Sequence, residues 1–198
     1  MVIKSLVQLY ERLLEQKLVA PNGWDRQKNK EIRKAWELYR ENDSETKNAV
    51  YGTCIITGKP HQKMATVHPK IKEIQGADSS GAALVCYNVK SVCSYNSDDK
   101  QLINSHISEY AAQAYTKALN YLLFDMTHHE TFGNVTVVYW SESNNALYGR
   151  FFESILNTTD GAGNTYSLHS LMETIAEGRS VNFEGAELSP NEPFYILG

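Results

Sequence analysis

The feature that most constrains the fold is a helical repeat of apolar residues between Tyr110 and Met126. Apolar positions recur every three or four residues, the spacing that places them on one face of an α-helix. Ser108 precedes the repeat, where a serine side chain can cap the first turn. The sequence therefore predicts a long central amphipathic helix. Its apolar positions are Tyr110, Ala111, Ala114, Tyr115, Ala118, Leu119, Leu122, Leu123 and Met126.

Shorter patterns flank this helix on both sides. Helical spacing predicts further helices, and β-branched or alternating runs predict strands. The predicted helices are residues 3–18, 32–39, 147–155 and 168–175, and the predicted strands are residues 53–56, 65–67, 83–88, 135–140 and 194–197. We expect an α+β fold: a small mixed or antiparallel sheet, the long central helix and flanking shorter helices. We expect a single domain over residues 1–198, with a helical segment at 1–50 and a core at 51–198.

Length and hydropathy exclude several classes of protein. A chain of 198 residues with 42% hydrophobic residues can bury a substantial core. Its longest uncharged apolar runs, at 121–124 and 135–140, are far shorter than the ~20 residues of a membrane-spanning helix. The first residues mix charges with apolar side chains from Lys4 onward, unlike a secretory signal. We expect a cytoplasmic protein without a membrane partner.

The sequence offers little evidence for a catalytic, metal or cofactor site. Three cysteines without a C-x-x-C pair predict free thiols. Adjacent histidines point about 100° apart on a helix, so 128–130 (His-His-Glu) is interpreted as a solvated helix end and not as a metal site. Residues 76–81 resemble a phosphate-binding loop, but a strand-like segment follows them and Gly-Lys-Ser/Thr is absent. We expect no enzyme activity, no metal and no cofactor.

Charge is distributed unevenly along the chain. Residues 1–50 hold ten Lys/Arg and eight Asp/Glu, residues 51–75 hold four lysines and one glutamate, and residues 76–198 hold five basic and fourteen acidic groups. A domain that binds duplex DNA over its whole surface is expected to carry a basic excess. The chain is therefore either a partner-dependent binder or no nucleic-acid binder.

The basic excess of the middle segment has the composition of a phosphate-contacting surface. A face that is merely solvated is the alternative that the composition leaves open. The basic residues of this stretch are Lys59, His61, Lys63, His68, Lys70 and Lys72, beside the glycines and serines of 76–81.

Six short motifs follow one another along the chain. They are CIITG at 54–58, HPKIK at 68–72, GADSSGAALV at 76–85 with Asn88, SE at 108–109 with AYTKALNYLL at 114–123, TVVYWSE at 136–142 and FYILG at 194–198. In order and spacing they resemble one family, the large subunit of the type I-C CRISPR surveillance complex (Cascade), called Cas-eight-c or Csd-one. The turn Ala-Pro-Asn-Gly-Trp at 20–24 also fits.

The resemblance implies a non-catalytic subunit at the crRNA 5′ end that checks the protospacer-adjacent motif and helps to open the target duplex. In such systems the protein reads the short motif and base pairing reads the remaining sequence. The implied partners are the crRNA 5′-handle subunit, the backbone subunits, and target DNA or crRNA within the complex. Taking the composition of the basic stretch together with the resemblance, we expect the nucleic-acid-binding residues to be Lys59, His61, Lys63, His68, Lys70, Lys72, Ser79, Ser80, Gly81 and Asn88.

The chain departs from the family pattern in three places. The family's strand-rich region after the turn at 20–24 is missing, and the chain ends where members continue. Asp78 replaces a neutral glutamine, and an anion beside a phosphate path weakens it. We expect a truncated relative that docks on Cascade and competes with the genuine large subunit, as an anti-CRISPR protein does. The alternative is a minimal working large subunit that takes part in motif recognition and antiviral defence.

Overall fold

The computed structural model describes residues 2–16, 18, 49–86, 105–157, 173–174 and 176–198. These residues combine helices with small sheets in which every strand pair is antiparallel, so the predicted α+β class is confirmed. The helices are α1 (Val2–Glu15), α2 (Glu109–Phe124) and α3 (Ala146–Asn157). The strands are β1 (Tyr51–Gly52), β2 (Gln62–Lys63), β3 (His129–Phe132), β4 (Val135–Ser141), β5 (Val181–Phe183), β6 (Ala186–Leu188) and β7 (Phe194–Leu197).

The chain is divided into two compact units. The first contains residues 3–72 and 78–118, and the second contains Val2, residues 73–77 and residues 119–198. The sheets follow this division: β1 and β2 belong to the first unit, whereas β3–β4–β7 and β5–β6 belong to the second.

The core of the first unit forms between α1 and the first turns of α2. The apolar face of α1 is buried, and each buried leucine contributes roughly 1.5–3 kcal/mol relative to an exposed one. Tyr10 meets Tyr110 edge-on with ring centroids 6.5 Å apart, and the Tyr110 hydroxyl donates a hydrogen bond to Glu11 at 3.1 Å. The buried residues of this core include Leu6, Leu9, Leu13, Ala111, Ala114, Tyr115 and Ala118.

Ser108 caps α2 as the sequence predicts. Its Oγ accepts a hydrogen bond from the Ala111 backbone N–H at 3.2 Å, which satisfies one of the donors left free at a helix start. A serine cap of this kind stabilises a helix by about 1 kcal/mol. The cap fixes the first residue of α2 beside the segment that carries the basic stretch.

The core of the second unit lies on β4, the middle strand of the three-stranded sheet. Its last four residues are buried. The Trp140 ring stacks on Tyr195 of β7 with centroids 5.4 Å apart, and the Tyr139 ring meets Phe152 of α3 edge-on at 4.9 Å. Helix α3 therefore covers this sheet through aromatic contacts, which prefer such offset and edge-on geometries.

Several predicted elements differ from the observed ones. Residues 53–56, 65–67 and 83–86 are not strands, and residues 55–57 form a turn instead; the last two residues of the predicted strand 83–88 lie outside the described residues. The sequence patterns did not predict five of the described strands: β1, β2, β3, β5 and β6. His128 is 5% exposed, so the interpretation of 128–130 as a solvated helix end is wrong for this residue. The predicted helices at 32–39 and, for the most part, 168–175 lie outside the described residues.

Candidate nucleic-acid interface

The basic stretch begins at a two-stranded hairpin. Strand β1 pairs with β2 so that Tyr51 lies opposite Lys63. In the connection, the Gly58 N–H donates to the Cys54 carbonyl at 2.8 Å, and the Cys54 N–H donates to the Lys59 carbonyl at 3.0 Å. These bonds close a tight turn, which leaves Lys59 and His61 exposed where the chain enters β2.

The four lysines of the stretch have different environments. Lys63 forms an ion pair with Glu109 at 2.8 Å, and both side chains are just over one-quarter exposed. The Lys72 ammonium donates to the Ser80 carbonyl oxygen at 2.6 Å. Lys59 and Lys70 are exposed. Half of the predicted lysines are thus engaged with atoms of the protein itself, but only Glu109 offsets a positive charge, that of Lys63.

His68 is buried at 2% exposure and belongs to the core. Its Nδ1 lies 2.5 Å from the Tyr115 hydroxyl, and its Nε2 has no hydrogen-bond partner among the described residues. Burial lowers the pKa of His68 and raises the pKa of Tyr115 to about 12, so both groups are held neutral. A histidine in this position does not reach a phosphate, and the expectation that His68 lies on the binding surface does not fit its burial.

The loop at 78–81 is a tight return of the chain and does not open a helix. Ser79 and Ser80 are exposed, and the Gly81 N–H donates to the Asp78 carbonyl at 2.7 Å. Gly81 has a φ of 94°, and a Cβ there would lie 2.4 Å from the Ile71 carbonyl oxygen. Glycine is therefore required by the backbone itself. Gly81 lies next to the bridge between Ile71 and Ala82 and permits the close approach of the backbone there.

Asp78 is exposed in the same return. It places a carboxylate next to the two serines that were predicted to contact nucleic acid. Asn88, the last predicted contact, lies outside the described residues. The structure therefore brings Lys72 and Ser80 together and leaves Lys59, His61 and Lys70 exposed on their own segments. The nucleic-acid role of the whole set stays a prediction.

Cys54 is fully buried beneath the turn. Burial raises the pKa of its thiol, but hydrogen bonds from Ser108 and Thr57 outweigh this effect and lower the pKa to about 7. The Ser108 N–H lies 3.4 Å from the sulfur. Cys86 is exposed, and both residues are free thiols. Cys54 links the turn to the start of α2, and its chemistry is confined to the interior.

In the second unit, the buried imidazole of His128 lies near the carboxylate of Asp125. His128 Nε2 lies 4.0 Å from Asp125 Oδ2. Burial lowers the pKa of His128, and the Asp125 carboxylate opposes that shift. Within the described ranges, no group of three or more His, Cys, Asp or Glu side chains is arranged to hold a metal ion.

Sequence reasoning missed two residues of this region. Tyr51 stacks its ring on His61, with centroids 4.9 Å apart and planes 14° from parallel. Glu109 neutralises Lys63 from a helix that lies 46 residues further along the chain. Tyr51 stands three residues before the CIITG motif and begins a stretch without acids, so an aromatic residue in an acid-free basic segment was a usable signal. The Glu109 contact has no local signal.

The family described as CRISPR-associated protein (Cas_Csd1) matches residues 18–198. The chain belongs to this family, that of the type I-C Cascade large subunit. No curated protein matches the chain. Among the described residues, no helix is long and apolar enough to cross a membrane.

Proposed function

We propose that this chain docks on type I-C Cascade at the position of the large subunit and competes with the genuine large subunit, as an anti-CRISPR-like inhibitor without catalysis. The support for docking is membership of the large-subunit family over residues 18–198. The proposed partners are the subunit at the crRNA 5′ handle and the backbone subunits, which are the neighbours of a large subunit.

The observation that carries the inhibitory role is the charge of the second unit. Val2, residues 73–77 and residues 119–198 hold two Lys/Arg against eleven Asp/Glu, a formal charge of −9. Like charges repel over roughly a Debye length, about 8 Å at physiological salt. A subunit with this charge is suited to occupying a protein position and ill suited to lining a path for target DNA.

The environment of the basic stretch supports the same reading. The positive charge of Lys63 is offset by Glu109, the Lys72 ammonium is oriented by the Ser80 carbonyl oxygen, and His68 is buried. Fewer phosphate contacts are then available than the sequence suggests. Because each neutralised phosphate adds to affinity and to its salt dependence, few contacts imply weak binding of duplex DNA.

A second candidate function is a minimal working large subunit, in which Lys59, His61 and Lys70 contact DNA phosphate. The observation that favours it is the segment 51–72, which contains no Asp or Glu and keeps these three side chains exposed. The two candidates share the docking position and differ in their effect on target recognition.

One experiment separates the two candidates. The chain is expressed in cells with a complete type I-C system and in cells whose genuine large subunit is deleted, and both are challenged with a targeted phage. Competition predicts a rise in plaque number in the first strain and no immunity in the second. Untargeted phage is the control for general toxicity.

The outcomes are distinct. Restored immunity in the deleted strain establishes the working subunit. Unchanged immunity in the complete strain, with no Cascade subunit copurifying with the chain, excludes competition with the large subunit.

A further inference from the structure

The stacked pair of Tyr51 and His61 is the feature of the surface that the docking proposal leaves unused. Tyr51 is 48% exposed and His61 is exposed, yet their rings lie nearly parallel with centroids 4.9 Å apart. Aromatic side chains gain most from burial, and a stack that remains in water contributes little to a core. Its open faces are therefore available to a third ring.

The backbone holds His61 in this position at a cost. His61 has a φ of 51°, in the left-handed region that non-glycine residues rarely occupy. Such a conformation costs about 1 kcal/mol or more and persists when the surroundings impose it. Here the Gln62 side-chain amide donates to the Pro60 carbonyl at 3.2 Å, and Gln62 pairs with Gly52 in the hairpin. The hairpin thus presents the imidazole to the Tyr51 ring.

Along the sequence, the charge around the stack has one sign. No Asp or Glu occurs between residues 51 and 72, and the Glu109 carboxylate, from the start of α2, pairs with Lys63. Lys59 is exposed two residues before His61. An exposed aromatic pair with an exposed basic side chain nearby in sequence is the combination that binds a base and its phosphate in single strands.

We infer that Tyr51 and His61 form a stacking platform for an unpaired base of single-stranded nucleic acid, with Lys59 as the phosphate contact. A base inside a duplex is stacked on both sides and cannot use the platform, so the site selects single strands. Every base has a π-face, and the site is therefore expected to tolerate any sequence. The inference does not depend on docking to Cascade, because it concerns the binding of the isolated chain.

The test measures fluorescence anisotropy of labelled oligothymidylate and oligouridylate of about 15 nucleotides, a length at the upper end of ordinary single-strand sites. Tyr51→Ala is expected to weaken binding about fivefold or more, the range found for removal of one base stack. Tyr51→Phe keeps the ring and is expected to retain wild-type affinity. Phe124→Ala removes an exposed ring of the acidic second unit and serves as the matched control.

An oligonucleotide with abasic sites distinguishes stacking from charge. The wild-type chain is expected to bind it as weakly as Tyr51→Ala binds the intact strand, and Tyr51→Ala is expected to cause no further loss. Lys59→Ala is expected to weaken the binding of both the intact and the abasic oligonucleotide and to reduce the salt dependence of that binding. The two oligonucleotides show whether DNA or RNA is preferred.

Three results overturn the inference. The first is equal or tighter binding of a blunt duplex, and the second is equal affinity of Tyr51→Ala and wild type for intact strands. The third is an absence of oligonucleotide binding by the wild-type chain; loss of Cascade copurification in Tyr51→Ala would then make the platform a protein contact. Circular dichroism of each variant shows that the fold is retained.

Discussion

The two compact units of this chain carry opposite charge. The first unit holds seventeen Lys/Arg against twelve Asp/Glu, a formal charge of +5, whereas the second holds two against eleven, a formal charge of −9. The formal charge of the whole chain, −4, hides this division. Charge-dependent binding is therefore a property of each unit, and variants in one unit are the natural controls for the other.

Among the described residues, each unit also buries one histidine, in a different environment. In the first unit His68 faces a neutral phenol, the hydroxyl of Tyr115. In the second unit His128 faces a carboxylate, Asp125. Burial disfavours the imidazolium in both places, but only Asp125 offers it a compensating charge. The two sites thus test whether burial or a neighbouring charge decides how a histidine responds to acid.

The largest expected effect is loss of the second unit's core. Trp140 is 1% exposed and stacks on Tyr195. Trp140→Ala is expected to lower the free energy of unfolding by about 3–5 kcal/mol, because it removes a large buried ring and leaves a cavity. Urea unfolding followed by circular dichroism measures this loss. Phe124→Ala, at a ring that is 83% exposed, is expected to change stability by less than ~0.5 kcal/mol. Equal effects of the two variants would contradict the assigned burial.

The next effect concerns the return at 78–81. Gly81→Ala is expected to cost roughly 1–3 kcal/mol and to disturb the bridge between Ile71 and Ala82, since its Cβ would meet the Ile71 carbonyl at 2.4 Å. Gly76→Ala is the matched control: its φ is 78°, but a Cβ there meets no atom within 4 Å. It should cost only the ~1 kcal/mol of a left-handed alanine. A cost no larger at Gly81 than at Gly76 would show that the loop yields.

A smaller effect is a loss of stability in acid that depends on His68. Its folded-state pKa lies below the ordinary value of 6.5, so the unfolded chain takes up the proton first. Stability should be independent of this group above about pH 6.5 and decline as the pH falls below it. His68→Gln should flatten the decline between pH 7 and 5, measured as the urea midpoint. His128→Gln should flatten it less, because Asp125 already favours the protonated form. The reverse order would give the neighbouring charge the smaller role.

Elements with a sustained repeat were predictable from the sequence. The repeat that predicts α2 and the β-branched run that predicts β4 each contain enough positions to fix one face. The short run at 53–56 has no such redundancy, and the turn closed by Gly58 overrides its β-propensity. The β5–β6 hairpin was missed because its two-residue turn begins with a glutamate. Glu184 and Gly185 both have positive φ, and Asn, Asp or Gly is the usual sequence signal at the first of these positions.

The site was less predictable than the fold because its residues are sorted by contacts distant in sequence. His68 and Lys63 look alike as members of one basic stretch. Tyr115, 47 residues away, draws His68 into the core, and Glu109 pairs with Lys63 from the start of α2. No local pattern distinguishes a basic residue that is paired from one that is free. This is why the sequence alone does not separate the exposed Lys59 and Lys70 from the paired Lys63 and the buried His68.

The smallest expected effect tests that pairing directly. The Lys63–Glu109 pair is partly exposed, and such pairs contribute only ~0.2–1 kcal/mol, so Lys63→Ala and Glu109→Ala should both leave the unfolding midpoint nearly unchanged. Their effects on charge are opposite. Glu109→Ala releases Lys63, adds one net positive charge to the first unit and should strengthen single-strand binding with a steeper salt dependence. Lys63→Ala should weaken single-strand binding or leave it unchanged.

Anisotropy titrations at two salt concentrations distinguish these outcomes. Glu184→Ala in the second unit is the control for a change in total charge, since it also removes one carboxylate from an ion pair. An equal gain from Glu184→Ala would mean that overall charge, and not the basic hairpin, governs binding.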